Sequence, residues 1–389
     1  MHIDVNNAFL SWTSVNLLKN GYNEDIRNSY AIIGGDESKR HGIVLAKSPL
    51  AKKIGIKTAE TIFSAKRKCS SLKIFPPDYK LYKQMSNKLF SLINKYTPDI
   101  EIASIDECYL DYGKIKNMYG DEIVFAKKLQ DEIYNTLGFT VNIGIANNKL
   151  CAKMASDFEK PNKIHTLYSY EVKTKMFPLP IEDLFTVGKS TSNKLRQIGV
   201  NTIGDLANKK EYELKKVFKN QSSYLIRIAN GIDDRPVDNT SFIPKGISNE
   251  VTLSKDVTNV NELYGYLSYL SLKVSKRIRN EKKYARVICV ILKDYNFKRY
   301  SHQKKLKNGI NSYDDIYMYS KEVLNEFYNG EKIRLIGIRL DDLNEISNYQ
   351  MSFFDKNVSN KKDEIDNILD KVNNKYGKEV LKRASFLEK

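Results

Sequence analysis

Little in this chain can cross-link it or chelate a soft metal. Its 389 residues hold four cysteines (Cys69, Cys108, Cys151, Cys289) and four histidines (His2, His41, His165, His302), all far apart, without CxxC or HxxxH spacing. That argues against a disulfide framework and against a structural zinc site. No apolar run approaches the roughly 18 residues that a membrane span requires, and the N-terminus lacks the charged start and apolar middle of a signal peptide. A soluble protein of the cytoplasm is therefore expected. Acid is in deficit as well: 64 Lys and Arg against 47 Asp and Glu give a formal charge of +17.

The excess of cations is uneven. Between Lys273 and Lys307 thirteen Lys or Arg face two acids, Glu281 and Asp294. A stripe of this kind points to a polyanionic partner, the plainer alternative being a solvated Lys-rich surface. At 389 residues the length is too great for one ordinary core and implies two to four domains.

Hydrophobic periodicity supplies the organisation. "MHIDV" reads as a strand; only three residues precede Asp4, short for a buried strand, so its natural start could lie upstream of Met1. Residues 8 to 73 alternate short strands ("SYAIIGG", "GIVLAKS") with a small helix around "PLAKKIGI". Tyr82, Met85, Leu89, Phe90, Ile93 and Tyr96 recur at helical spacing. Strands "IEIASID" and "ECYLDYG" follow. A second helix carries Ile123, Ala126, Leu129, Ile133 and Leu137 on one face and ends at Gly138, and "FTVNIGIA" reads as the last strand. The succession is βαββαβ, a ferredoxin-like arrangement with an insertion after its first strand. Further on, "LFTVGKSTSNKLRQIGVNTIGDL" reads as helix-hairpin-helix, "IDDRPVDNTSFIP" as a polar linker, and the basic region beyond it as a small α+β domain before a partly helical tail.

The acids of "SIDECYLD" carry the chemistry. Regular alternation sends Asp106 and Glu107 to opposite faces of a strand, so a shared site requires a bend between them, which a hairpin provides. With Asp4 they form a set of hard oxygen donors suited to Mg²⁺. Two such ions beside a basic surface fit phosphoryl or nucleotidyl transfer. Acids at a solvated turn are the competing reading.

Three stretches, "HIDVNNAF", "SIDECYLD" and "VNIGIANNKLCAKMASDFEKPN", occur in the order of the signatures of the Y-family translesion DNA polymerases, which the chain resembles from residue 2 to about 355. The resemblance implies a right-hand α+β multidomain architecture. Its parts would be a ferredoxin-like palm over 1–7 and 74–170, a small fingers insertion over 8–73 and a helix-hairpin-helix thumb over 171–231. A linker over 232–241, an α+β little finger over 242–347 and a tail over 348–389 complete it. It implies two Mg²⁺ ions on Asp4, Asp106, Glu107 and the Val5 carbonyl, with the three carboxylates catalytic. Asn7, Ala8, Phe9, Lys52 and Lys160 would bind the incoming dNTP, Phe9 as the steric gate against a 2′-hydroxyl.

Two departures mark the nucleotide corner. Lys52 falls where relatives carry Arg, which loses the bidentate fork, and Pro49 replaces a common Tyr; Lys47 is a candidate to compensate. Asn6 stands where many relatives have Asp, as in the UmuC-like branch. Gly188, Lys189, Arg277, Arg286, Lys298 and Arg299 would contact primer-template DNA. Gln350, Met351, Ser352, Phe353 and Phe354 resemble a peptide that docks on the sliding clamp (beta clamp). The expected activity is low-fidelity, template-directed translesion DNA synthesis by a monomer associated with the nucleoid. A two-metal structure-specific nuclease and a catalytically degenerate DNA- and clamp-binding scaffold are the rival readings.

Overall fold

The structure, a computed structural model, describes residues 1–36, 42–240, 244–345, 358–376 and 380–381. The chain divides into two compact units at the 241/242 boundary.

The first unit opens with β1 (His2–Val5), which turns through Asn7 in the left-handed region (φ 52°, ψ 51°) into α1 (Ala8–Lys19). The insertion continues with β2 (Ala31–Gly34), β3 (Val44–Lys47), α2 (Pro49–Lys53), α3 (Ile62–Lys68) and β4 (Lys73–Phe75). Ser48 and Thr61 cap α2 and α3 by accepting from Ala51 and Ser64 N–H, each cap contributing about 1 kcal/mol. Strand β4 pairs in parallel with β2, giving the sheet order β3-β2-β4. The insertion sheet therefore takes in Lys73–Phe75, past the expected boundary at 73/74. Three residues with a charged flank carry too little alternation to register as a strand. Helix α1 packs to both sides: Ala8, Trp12 and Val15 join the main core, while Leu10 joins Ile26, Ala31, Ile33 and Ala46.

The ferredoxin-like part follows as α4 (Tyr79–Ile93), β5 (Ile100–Ile102), β6 (Glu107–Leu110), α5 (Lys116–Tyr119), α6 (Glu122–Leu137), β7 (Val141–Ile145), α7 (Lys149–Asp157) and β8 (Ile164–Thr166). Its sheet runs β5-β6-β1-β7-β8, the ferredoxin-like order with β8 added in parallel beside β7. Asp78 caps α4 and Asp121 caps α6, which ends at Gly138 (φ 82°). Their apolar stripes, Tyr82, Met85, Leu89 and Ile93 with Ala126, Leu129, Ile133 and Leu137, fill the core. Ile123, expected on that face, is exposed, and Phe125 is buried in the core instead.

Helices α8 (Lys189–Gln197) and α9 (Ile203–Ala207) form the helix-hairpin-helix around Gly199 (φ 78°), followed by α10 (Glu211–Phe218) and α11 (Ser222–Ala229). Their core, with Leu195, Ile203, Leu206 and Leu225, closes over Leu150, Met154 and Ala155 of α7. The polar segment after α11 is tied down: Leu150 N–H donates to Asp233 (3.1 Å), Asp238 N–H to Glu101 (2.8 Å) and the Asn239 amide to Asp99 (3.2 Å).

The second unit contains β9 (Gly246–Val257), α12 (Val260–Asn280), β10 (Tyr284–Asp294), β11 (Arg299–Ile310), α13 (Tyr313–Phe327), β12 (Ile333–Asn344) and α14 (Val358–Tyr376). The four strands run β11-β10-β12-β9, antiparallel throughout. Leu263, Leu267, Leu270, Val274 and Ile278 of α12 pack on Ile288, Val290, Leu292, Ile336, Ile338 and Leu340. Among the described residues no helix is long and apolar enough to cross a membrane.

Candidate active site

Alternation along β1 splits the palm sheet into two chemically different faces. Ile3 and Val5 enter the main core with Cys108, Leu110, Val141 and Ile143. By register, His2 and Asp4 share the other face with Tyr109, Glu107, Gly144 and Asn142. That polar face lies under α7, and Gly144 explains how close the helix comes: a Cβ there would sit 2.0 Å from the Ala152 carbonyl oxygen and 2.6 Å from Ser156 N. Only glycine permits this approach. The Asn142 amide donates to the Ser156 and Glu159 carbonyls, and His2 Nδ1 meets Ser156 Oγ at 2.8 Å. Helix α7 is thereby fixed against the sheet on one side and in the thumb core on the other.

Asp4 and Glu107, paired in register, converge on one ammonium. Lys153 Nζ donates to Asp4 Oδ2 at 3.0 Å and to Glu107 Oε1 at 2.9 Å, and stands 3.4 Å from Asp157 Oδ2. Lys160 Nζ shares the same Asp4 oxygen at 3.0 Å and reaches Asp157 Oδ1 at 2.8 Å. Burial pushes the Asp4 carboxyl up to about 6, against the pull of Lys153 and Lys160. Glu107 is held well below the carboxylate range, by the His2 ring first and then, against burial, by Lys153 and a hydrogen bond from Asp4. His2 Nε2 faces Glu107 Oε2 at 3.7 Å, longer than a hydrogen bond. Burial works against the charge on Lys153, and its acidic neighbours, Asp4 first, more than reverse this. Nothing in periodicity or spacing singled out Lys153; its one sequence signal is a cation placed among the apolar residues of α7, seven of whose nine residues are buried.

Asp106 sits in the turn of residues 104–106 just before β6. Its carboxylate accepts from Ser104 Oγ at 2.6 Å, and its carbonyl accepts from Val5 N–H at 3.1 Å. The structure thus brings Asp4 and Glu107 to a common cation, while Asp106 is engaged by Ser104 beside them. Among the described residues no three His, Cys, Asp or Glu side chains gather closely enough to hold a metal as they stand. The chemistry of the donors nevertheless fits a hard divalent ion: they are carboxylate oxygens only, and Asp4 with Glu107 already collects positive charge.

Around this pair, Asn6 is built into the scaffold. Its amide donates to Asn142 Oδ1 (2.9 Å) and its oxygen accepts from Asn162 N–H (2.8 Å), which fixes the loop carrying Lys160. Asn7 donates to the Lys47 carbonyl (2.6 Å), and Ala8 is buried. Phe9 stacks on Tyr82 with centroids 4.4 Å apart and planes 6° from parallel. Lys47 Nζ donates to Thr58 Oγ1 (2.8 Å), and its ammonium is lowered by burial and then by repulsion from Lys52. Lys52 itself is exposed on α2. In the thumb, Gly188 caps α8 and Lys189 is its exposed first residue.

The second unit holds the remaining predicted contacts. Arg286 and Lys298 are exposed, Arg299 pairs with Glu250 (Nη1 to Oε2, 3.0 Å), and Arg277 donates to the Ser248 carbonyl (2.6 Å). The segment Gln350 to Phe354 lies outside the described residues.

Residues 3–157 match the impB/mucB/samB family, and residues 244–353 match the C-terminal domain of that family. The DNA polymerase IV of Clostridium acetobutylicum is 44% identical over 389 residues, which is 100% of this chain and 98% of that protein. The chain belongs to the Y-family DNA polymerases. The DNA polymerase IV of Alkaliphilus oremlandii is 34% identical over 92% of this chain and 93% of its own length. In structure, this Y-family chain is similar to a Y-family DNA polymerase chimera of Dbh and Dpo4, at 25% identity and a TM-score of 0.77, covering 88% of this chain and 98% of the chimera. Dependence on a divalent metal is general to the Y family.

Proposed function

We infer that this DNA-directed DNA polymerase, which carries out template-directed, low-fidelity translesion synthesis as its family does, performs its chemistry at Asp4, Asp106 and Glu107. The observation that supports the assignment is the in-register pair of buried Asp4 and half-buried Glu107, beside two ammonium groups in the middle of the palm sheet. Two Mg²⁺ ions would be held by the three carboxylates and the Val5 carbonyl. When bound, they supply the charge that lowers the pKa of the primer 3′-hydroxyl and offsets charge on the departing pyrophosphate.

The chain's own groups do the rest. Lys160, tied to Asp4 and Asp157, presents an ammonium to the triphosphate, and Lys52 with Lys47 makes a second cationic corner on the fingers. Phe9, braced by Tyr82, packs beneath the sugar and leaves no room for a 2′-hydroxyl, with Asn7 and Ala8 shaping the same turn. Primer-template DNA is held through phosphates by Gly188 and Lys189 of the thumb and by Arg277, Arg286, Lys298 and Arg299 of the little finger, without sequence readout. Gln350 to Phe354 dock on the sliding clamp of the nucleoid-associated replication machinery in the cytoplasm, and the polymerase works as a monomer.

A labelled primer-template incubated with dNTPs and Mg²⁺ tests this reading. Primer lengthening is expected from the wild type and none from Asp106→Ala. Shortening without extension indicates a nuclease, and extension by Asp106→Ala equal to wild type removes the site assignment.

A further inference from the structure

The acidic face of the palm sheet carries its own cation. Lys153 Nζ lies within hydrogen-bond distance of two of the carboxylates that the reading above gives to metal, at Asp4 Oδ2 and Glu107 Oε1, and its side chain is 9% exposed. The helix bearing it cannot drift, because the Gly144 contact, the Asn142 bonds and the thumb core hold α7 from both sides. Only the long side chain is free to change partner. A second partner stands one turn along the same helix: Asp157 Oδ2, at 3.4 Å, the i+4 carboxylate.

Charge balance gives the arrangement its sense. Asp4, Glu107 and Asp157 share Lys153 and Lys160. Asp4 is buried, Glu107 half-buried and Asp157 exposed, and carboxylates gathered where burial begins are unfavourable without compensating cations. We propose that Lys153 is a positioning residue, an internal cation that keeps Asp4 and Glu107 directed at one point in the metal-free enzyme and yields their oxygens to a divalent ion by moving to Asp157. The proposal rests on Asp4 and Glu107 being metal ligands. An ion that displaces an internal cation binds less tightly by the free energy of that displacement, and couplings of this kind are commonly worth about 5- to 150-fold.

The test measures Mn²⁺ binding to the full chain without DNA, by electron paramagnetic resonance of the free ion, together with thermal unfolding in EDTA followed by circular dichroism. Lys153→Met should bind Mn²⁺ about tenfold more tightly than wild type, and should unfold several degrees lower in EDTA, with the gap closing as Mn²⁺ is added. Lys153→Arg, which keeps the charge, should recover the unfolding temperature in EDTA. Asp157→Asn removes the alternative seat and should weaken Mn²⁺ binding severalfold, an effect that disappears in the Lys153→Met background. Unchanged or weaker Mn²⁺ binding by folded Lys153→Met overturns the proposal. If Lys153→Met does not fold, wild-type affinity in Asp157→Asn overturns it equally. Glu107→Gln separates the two levels: if it binds Mn²⁺ as wild type does, the carboxylate reading itself has failed.

Discussion

In the palm the opening strand β1 lies at the centre of its sheet, between β6 and β7, whereas in the little finger the opening strand β9 is an edge beside the last strand, β12. Apart from the insertion, α5, α7 and β8 in the palm and α14 after the little finger, both follow the same βαββαβ succession. The different strand order puts charge to different use. A central strand is buried on both faces, so Asp4 must find partners inside the protein, and the fold supplies Glu107, Lys153 and Lys160. In the little finger exposed cations meet acids at the surface: Arg299 pairs with Glu250, and Lys304 with both Glu322 and Glu326 of α13. Exposed pairs of that sort add little to stability. In the palm one ammonium fixes geometry; on the little finger many cations act as a sum that salt screens.

The comparison can be broken at four points besides the Lys153 exchange. Asp106 is engaged by Ser104 rather than by the buried ammonium cluster, so Asp106→Ala should leave thermal stability near wild type. Primer extension should nevertheless fall by roughly a thousandfold, about 4 kcal/mol of barrier. A parallel loss of stability would mean that the residue is structural.

Arg279 is a little-finger cation that, like those of the palm, is buried among acids. It is 7% exposed, and its guanidinium meets Asp366 (3.1 Å) and Asp370 (2.7 Å) of α14, with Tyr313 N–H also donating to Asp366. Arg279→Met should lower the unfolding free energy of that unit by about 3 kcal/mol in a urea titration, since it removes the cation that two carboxylates share. A change under 1 kcal/mol would place the pair with the ordinary surface bridges.

Phe9→Ala removes the ring stacked on Tyr82 and should raise ribonucleotide relative to deoxynucleotide incorporation by about 10- to 100-fold, measured as the ratio of kcat/KM values. No change removes the gate assignment. The smallest effect is expected from Arg286→Ala with Lys298→Ala. Affinity for primer-template should drop a few-fold irrespective of sequence, and the slope of log K against log salt should become shallower by about two. Sequence-dependent losses would contradict a purely phosphate-directed face.

Much of this was open to reading from the chain. Asp121 and Gly138 bound α6 as capping chemistry requires, and the alternation in "HIDV" and "VNIGI" separates a polar from an apolar face. The short strand β4 escaped because three residues carry no period, and Ile123 was misplaced because the stripe of α6 turns towards Phe125. The polar segment after α11 read as a free linker because its hydrogen bonds go to Asp99, Glu101 and Leu150, more than 80 residues away in sequence.

The amino-acid order by itself determined most of the succession of elements and the basic stripe, since each depends on local spacing or residue type; it proposed the three acids as a metal site, and the gate role of Phe9 was proposed from family resemblance. Tertiary structure alone decided which strands lie side by side, and with them which charges meet. Register across β1 and β6 set Asp4 opposite Glu107, and the close approach of α7 over Gly144 set Lys153 between them. The physical reason is separation: Lys153 lies 149 residues from Asp4 and 46 from Glu107 along the chain, and no local pattern encodes an ion pair that only folding brings within 3.0 Å.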